Sequence, residues 1–256
     1  MWRQNNRTYN QLRKVKISYN LFGYAPGNVL FEMGNTKVLC SVMMQKGVPF
    51  FLKGSKTGWL TAEYALLPAA TTIRTQREAT LLKRNGRSVE ISRLIGRSLR
   101  SIVQLDNIGE KTILVDCDVL QADGGTRTAC LTGAYLALEV AEQYWLERDI
   151  IPESIIKDAL AAISVGVIDN QVYLDLDYSE DNRAGADFNF VLTSSGKLIE
   201  VQGSAEKTAL SWEIFEQLRQ LACKGIVKLL HYSKRLAKDN NQEKGQLFSL
   251  QRRGIE

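Results

Sequence analysis

Three groups of side chains in this chain have residue types and spacing that could carry chemistry. The first is Asp123-Gly124-Gly125-Thr126-Arg127-Thr128, which follows a strand-like run and opens the longest helical stretch. A Gly-Gly turn lets the backbone approach a ligand closely. The unpaired N–H groups and the dipole of a helix start form an anion site, and Arg127 adds a planar fork suited to phosphate oxygens. The same six residues also read as a tight turn with Asp123 or Thr126 as the helix cap, and the segment alone does not choose. The second group is cationic. Arg93, Arg97 and Arg100 stand at i, i+4 and i+7 of a helical run and share a face, and Arg74, Arg77, Arg84 and Arg87 precede them. Glu78 and Glu90 are the only acids between positions 74 and 100, so the segment suits either a polyanion or ion pairs to another element or subunit. The third group is acidic: Asp175, Asp177, Glu180, Asp181 and Asp187. Two carboxylates brought together could hold a Mg2+ ion, or one with a raised pKa could donate a proton. The plain alternative is a solvated acidic loop.

What the chain lacks narrows the chemistry further. Its one histidine, His231, lies in a helical and peripheral segment near the C-terminus. A Ser-His-Asp triad or a His-ligated metal would have to use that residue. Chemistry here therefore falls to carboxylates, arginines, backbone dipoles or an ion. Cys40, Cys117, Cys130 and Cys223 form no C-x-x-C pair and have no zinc-site spacing; three sit in apolar runs and read as reduced core residues. Lys53-Gly54-Ser55-Lys56-Thr57-Gly58 looks like the end of a Walker A loop, but Pro49 stands where its first glycine belongs. The net charge of +5 is a mild basic excess, compatible with nucleic acid. No apolar run is long enough for a membrane span, the N-terminus lacks a signal-peptide core, and a cytoplasmic location is the expectation.

These groups must be positioned by mixed elements. Val29–Met33 and Lys37–Val42, joined at Gly34-Asn35-Thr36, read as a hairpin; Ala162–Ile168 and Val172–Leu176, joined at Asp169-Asn170, read as another. Two such units in opposite halves hint at an internal duplication, about 1–150 and 151–238, within one domain over 1–238. Helices are expected over 88–104, 129–148, 152–161 and 211–238, and strands over 112–121, 187–193 and 197–202. Residues 46–61 read as a loop, and 239–256 as a polar, flexible tail. The order gives an α+β fold with mixed sheets and packed helices.

Several ordered blocks resemble one family, bacterial ribonuclease PH. They are Gly34-Asn35-Thr36-Lys37-Val38-Leu39-Cys40, Gly58-Trp59-Leu60-Thr61-Ala62-Glu63-Tyr64, Gly86-Arg87-Ser88-Val89-Glu90-Ile91, Arg93-Leu94-Ile95-Gly96-Arg97, the run from Val115 to Thr128, and Ile199-Glu200-Val201-Gln202-Gly203. The likeness spans about residues 7 to 230. It implies a fold like the second domain of ribosomal protein S5, built of two similar βα halves, and a ring-shaped homo-hexamer, a trimer of dimers. It also implies phosphorolysis of RNA 3′ ends, tRNA precursors among them, with inorganic phosphate as co-substrate and nucleoside diphosphates as products.

Carried over residue by residue, the resemblance makes Arg87 and Arg127 catalytic phosphate ligands with Gly125 and Thr126. It makes Asp181 and Asp187 the carboxylates that either protonate the leaving oxygen or hold Mg2+. Arg74, Gln76 and Arg77 become RNA contacts, and the cationic face adds Arg93 and Arg97. Three positions depart from the family's pattern. Ala69 replaces an arginine in Leu-Pro-Arg-Ala-Thr, Gly185 replaces an acid two places before Asp187, and Asn5-Asn6-Arg7 replaces Asp-Gly-Arg. Two rival readings are a catalytically silent RNA-binding ring subunit and a hydrolytic, metal-dependent exonuclease.

Overall fold

The computed structural model describes residues 3–80, 85–207 and 209–252, with side chains described as far as Ser233. Arg84 lies outside the described residues. The first sheet has the order β1-β2-β3-β5-β4, made of β1 (Val15–Tyr19), β2 (Gly27–Met33), β3 (Thr36–Lys46), β4 (Trp59–Leu66) and β5 (Lys111–Gln121). Its neighbours are antiparallel except β4, which runs parallel to β5. A parallel pair needs a crossover, and α1 (Gly86–Ile102) supplies it and packs on β4. The second sheet, wholly antiparallel, has the order β7-β6-β8-β9, made of β6 (Leu160–Ile168), β7 (Gln171–Leu174), β8 (Ala186–Thr193) and β9 (Leu198–Ala205).

Helix α2 (Thr126–Leu146) packs against β2 and β3 of the first sheet and β6 of the second. Contact on two sides explains why it lacks a polar stripe: Leu131, Ala134, Ala137, Leu138 and Ala141 are all fully buried. A close approach needs small residues, and a Cβ on Gly133 would stand 2.9 Å from Cys40 Sγ. One continuous apolar core therefore joins the halves through α2. Helix α4 (Trp212–Arg252) covers β6, β7 and β8. The two hairpins expected from the sequence are both present. The turn between β6 and β7 uses Asp169 and Asn170 at φ 50° and 61°, the left-handed pair that matches strand twist. Cys40, Cys117 and Cys130 are buried and free, as expected.

Three expectations are corrected. Strand β4 begins inside the stretch read as a loop; Leu60, Ala62 and Tyr64 alternate inward along it. No helix forms over 152–161. Glu142 Oε1 instead accepts from Ile155 N at 2.6 Å and Ile156 N at 2.8 Å, and Gln104 N and Lys157 N bond to carbonyls across the segment. Those bonds hold the chain extended until β6 begins. The last helix, expected over 211–238, continues to Arg252. Among the described residues no helix is long and apolar enough to cross a membrane.

Candidate active site

The site grows from the turn between β5 and α2. Thr36 Oγ1 accepts from Asp123 N at 3.1 Å and donates to Gly124 O at 2.7 Å, which fixes the entry of the chain. Gly124 and Gly125 then take φ of 75° and 64°. Glycine is required, because a Cβ on Gly124 would meet Leu176 O at 2.6 Å as well as entering left-handed backbone. Gly125 is the N-cap of α2, and no side chain caps it. Asp123 accepts from Asn35 Nδ2 at 3.1 Å, and Thr126 Oγ1 shares a hydrogen bond with Tyr64 Oη at 3.1 Å. Neither expected capping residue acts as one. The helix start so presents N–H groups and the positive end of its dipole to a cleft.

That cleft has a volume of about 550 Å³ and is lined by Arg87, Gly125, Thr126 and Arg127 together with Asp181 and Asp187. Strand alternation selects part of its lining. On β8, Asp187 and Asn189 face the cleft, while Phe188 and Phe190 turn to the opposite face, with ring centroids 5.5 and 6.1 Å from Phe215 of α4. Arg127 Nη1 donates to Gln202 Oε1 at 2.9 Å and to Glu90 Oε1 at 3.1 Å. Arg87 is exposed at the start of α1, where Asn85 caps the helix by accepting from Arg87 N at 3.0 Å.

Burial raises the pKa of Asp181, the charge of Asp187 raises it further, and Arg87 and Arg127 pull it back. Asp187 is raised by burial first and by Glu206 second, against the pull of Arg127 and Arg87. Both carboxyls so hold a proton more tightly than an exposed aspartate. Among the described residues no three His, Cys, Asp or Glu side chains are grouped to hold a metal ion. A Mg2+ here would be the kind held by one or two carboxylates, Asp181 and Asp187, with the remaining ligands from substrate phosphates and water. Glu206, Gln202 and Glu90 were not singled out from the sequence. Gln202 falls within Ile199–Gly203, one of the runs that carry the family resemblance, but only its bond to Arg127 gives it a part.

The acidic run divides in two. Asp181 and Asp187 line the cleft, whereas Asp175, Asp177 and Glu180 are buried against arginines of the N-terminal arm. Arg3 Nε donates to Glu180 Oε1 at 2.6 Å, and Arg13 Nη2 donates to Asp175 Oδ1 at 2.7 Å. Arg7 lies 3.5 Å from Asp177 Oδ2. Asp177 also caps α3 (Tyr178–Asp181), with Glu180 completing a reciprocal capping box.

The cationic segment divides likewise. Arg74, Gln76 and Arg77 are exposed between β4 and α1, and Arg93 is exposed on α1. Arg97 is held by Glu200 through bonds of 2.9 and 2.5 Å. Arg100 stacks 4.5 Å over Trp59 and donates to Leu60 O. His231 is exposed on α4 and lines a separate groove beside the N-terminal arm.

The model of the 3′ exoribonuclease family of ribonuclease PH matches this chain in both its parts, domain 1 over residues 11–142 and domain 2 over residues 158–225. The chain belongs to the ribonuclease PH family. It is 51% identical over 234 residues to ribonuclease PH of Syntrophomonas wolfei, covering 91% of this chain and 98% of that one. To ribonuclease PH of Neisseria meningitidis (strain FAM18) it is 48% identical over 227 residues, 89% and 94% of the two chains. Two solved structures share the ribonuclease PH fold at low identity. A chain of the Archaeoglobus fulgidus exosome with RNA bound to the active site matches with a TM-score of 0.76, at 21% identity over 90% of this chain and 92% of that one. Rice Rrp46 matches at 0.74, with 20% identity over 91% and 98%.

Proposed function

We propose that this cleft is where the chain performs its family's reaction. The enzyme is a phosphorolytic 3′-to-5′ exoribonuclease, a nucleotidyltransferase acting on tRNA. The observation that carries the site assignment is the convergence on one cleft of an uncapped helix start, Arg87 and Arg127, and two carboxyls whose pKa values are raised. Orthophosphate sits between the two guanidinium groups and the N–H groups of Gly125 and Thr126. One of its oxygens attacks the phosphorus of the last phosphodiester bond. The bond to the 3′-oxygen of the shortened RNA breaks, and the Asp181–Asp187 pair delivers a proton to that oxygen. The departing nucleotide leaves as a nucleoside 5′-diphosphate. Positioning and charge neutralisation supply most of the rate. In their ionised form the same two carboxylates would instead hold Mg2+, which would supply charge neutralisation at the phosphates, with solvent providing the proton for the leaving oxygen. One phosphoanhydride bond replaces one phosphodiester, so excess diphosphate drives the reaction backwards.

Arg74, Gln76, Arg77 and Arg93 supply exposed polar groups for the RNA backbone outside the cleft. A homo-hexamer of three dimers is supported by the family resemblance and by large apolar side chains that a single chain leaves open, such as Phe50 and Phe51. The chemistry is tested by incubating the protein with RNA, with and without phosphate, and identifying the mononucleotide. Diphosphates formed only with phosphate are expected. Monophosphates formed without it would indicate hydrolysis, and no product in either would indicate a silent subunit.

A further inference from the structure

Arg127 is held from behind by a chain of hydrogen bonds in which each link dictates the next. Arg97 of α1 grips Glu200 of β9, Nε to Oε2 at 2.9 Å and Nη2 to Oε1 at 2.5 Å. Glu200 Oε1 also accepts from Gln202 Nε2 at 3.1 Å. Gln202 Oε1 accepts from Arg127 Nη1 at 2.9 Å. A carboxylate only accepts, so the amide of Gln202 must turn its NH2 toward Glu200. Its carbonyl oxygen is thereby aimed at Arg127, and a guanidinium only donates. The opposite orientation of the amide would set donors against donors. Gln202 is also neutral, so it orients Arg127 without cancelling the positive charge that an anion needs. Glu90, the other acceptor on the same Nη1, is a carboxylate with a side chain 42% exposed, and its pull is screened by water.

We infer that Gln202 is a positioning residue for Arg127, with its amide set by Glu200 and, through Glu200, by Arg97. The inference rests on Arg127 being a phosphate ligand. It gives Arg97 a role in the cleft that is separate from contact with RNA. It also makes the fit between α1, β9 and α2, and so between the two sheets, part of the phosphate site.

The test is steady-state phosphorolysis by the full chain with phosphate varied at saturating RNA, beside thermal unfolding of each variant. Gln202→Met keeps the length of the side chain and removes the acceptor. Its KM for phosphate is expected to rise about tenfold, the cost of one hydrogen bond to a charged group. Its kcat stays within about twofold, the pattern of lost binding rather than lost chemistry. Gln202→Glu keeps the acceptor but cancels the charge, and is expected to raise KM for phosphate at least as far. Glu200→Gln frees the amide to flip and raises it less; combined with Gln202→Met it adds little, because the two act in one chain. A Gln202→Met enzyme with an unchanged KM for phosphate overturns the inference, as does one whose kcat, KM and unfolding temperature all worsen together. Arg127→Ala separates the two levels. If it is inactive while Gln202→Met binds phosphate normally, only the positioning role fails. If Arg127→Ala keeps a normal KM for phosphate, the phosphate site itself is wrong.

Discussion

Two arginine–carboxylate clusters adjoin each other in this molecule and are built to opposite ends. In one, Arg3, Arg7 and Arg13 meet Asp175, Asp177 and Glu180, and each of these side chains is no more than 3% exposed. In the other, Arg87, Arg127, Asp181 and Asp187 line one open cleft. The residue types are the same, and Asp177 and Asp181 are the two ends of a single helical turn. The sealed cluster spends most of its donors inside the protein, although Arg7 Nε and Asp177 Oδ2 are buried without a hydrogen-bond partner. Arg13 alone bonds Asp175 through its backbone N and its guanidinium, and reaches Asp123 O at 2.5 Å. The open cluster leaves its cationic groups open to a cleft, beside carboxyls whose pKa burial raises. Charge paired and buried makes structure, and charge left open to a cleft is available for chemistry. The first cluster also builds the second. Arg13 props the turn before Gly125, and Asp177 caps the helix that ends at Asp181.

The contrast is broken most forcefully at Asp175. Asp175→Ala strands Arg13 and Arg7 in a buried site and is expected to cost about 3–5 kcal/mol of stability, read from urea unfolding. A loss below about 1 kcal/mol would mean that the sealed cluster is not structural. Arg127→Ala should do the reverse. Phosphorolysis is expected to fall by at least about 10²–10³-fold, while stability changes by less than about 1 kcal/mol, since its ion pair with Glu90 is half open.

Asp187→Asn should separate stability from activity by sign. The folded carboxyl holds its proton more tightly than the unfolded one, so stability falls as pH rises from the ordinary aspartate range, near about 3.9, through the raised value. Removing the charge is therefore expected to raise the unfolding temperature at pH 7, with the gain vanishing in acid, while turnover drops. An unfolding temperature at pH 7 no higher than that of the unmodified chain would contradict this. The smallest effect belongs to the exposed arginines. Arg77→Ala should weaken RNA binding with little dependence on sequence and lower the salt slope by about one unit, with the KM for phosphate unchanged.

The grouping of Arg87, Gly125, Thr126 and Arg127 at one cleft was legible because its signals are local. The Gly-Gly turn, Arg127 and the long helix lie within one short stretch, and the arginine row announced α1. The division of the acidic run was not legible. Asp175 is sorted from Asp187 by Arg13, 162 positions away in sequence. No spacing inside the run carries that information. The segment over 152–161 misled for a related reason: Pro152 suits a helix start, but Glu142 satisfies the backbone N–H groups from outside. Strand β4 was hidden because its start, Gly58-Trp59, closes a glycine-bearing stretch, and its pairing partner β5 lies about fifty residues on, beyond α1. Gln202 acquires its part only when β9 comes alongside α2.

The central claim is that the start of α2, Arg87 and Arg127 trap free orthophosphate. A crystal of the full chain soaked in orthophosphate measures this directly. The anion is expected within hydrogen-bond reach of both guanidinium groups and of the backbone N–H groups of Gly125 and Thr126. Orthophosphate bound elsewhere, with that pocket holding only water, would contradict it.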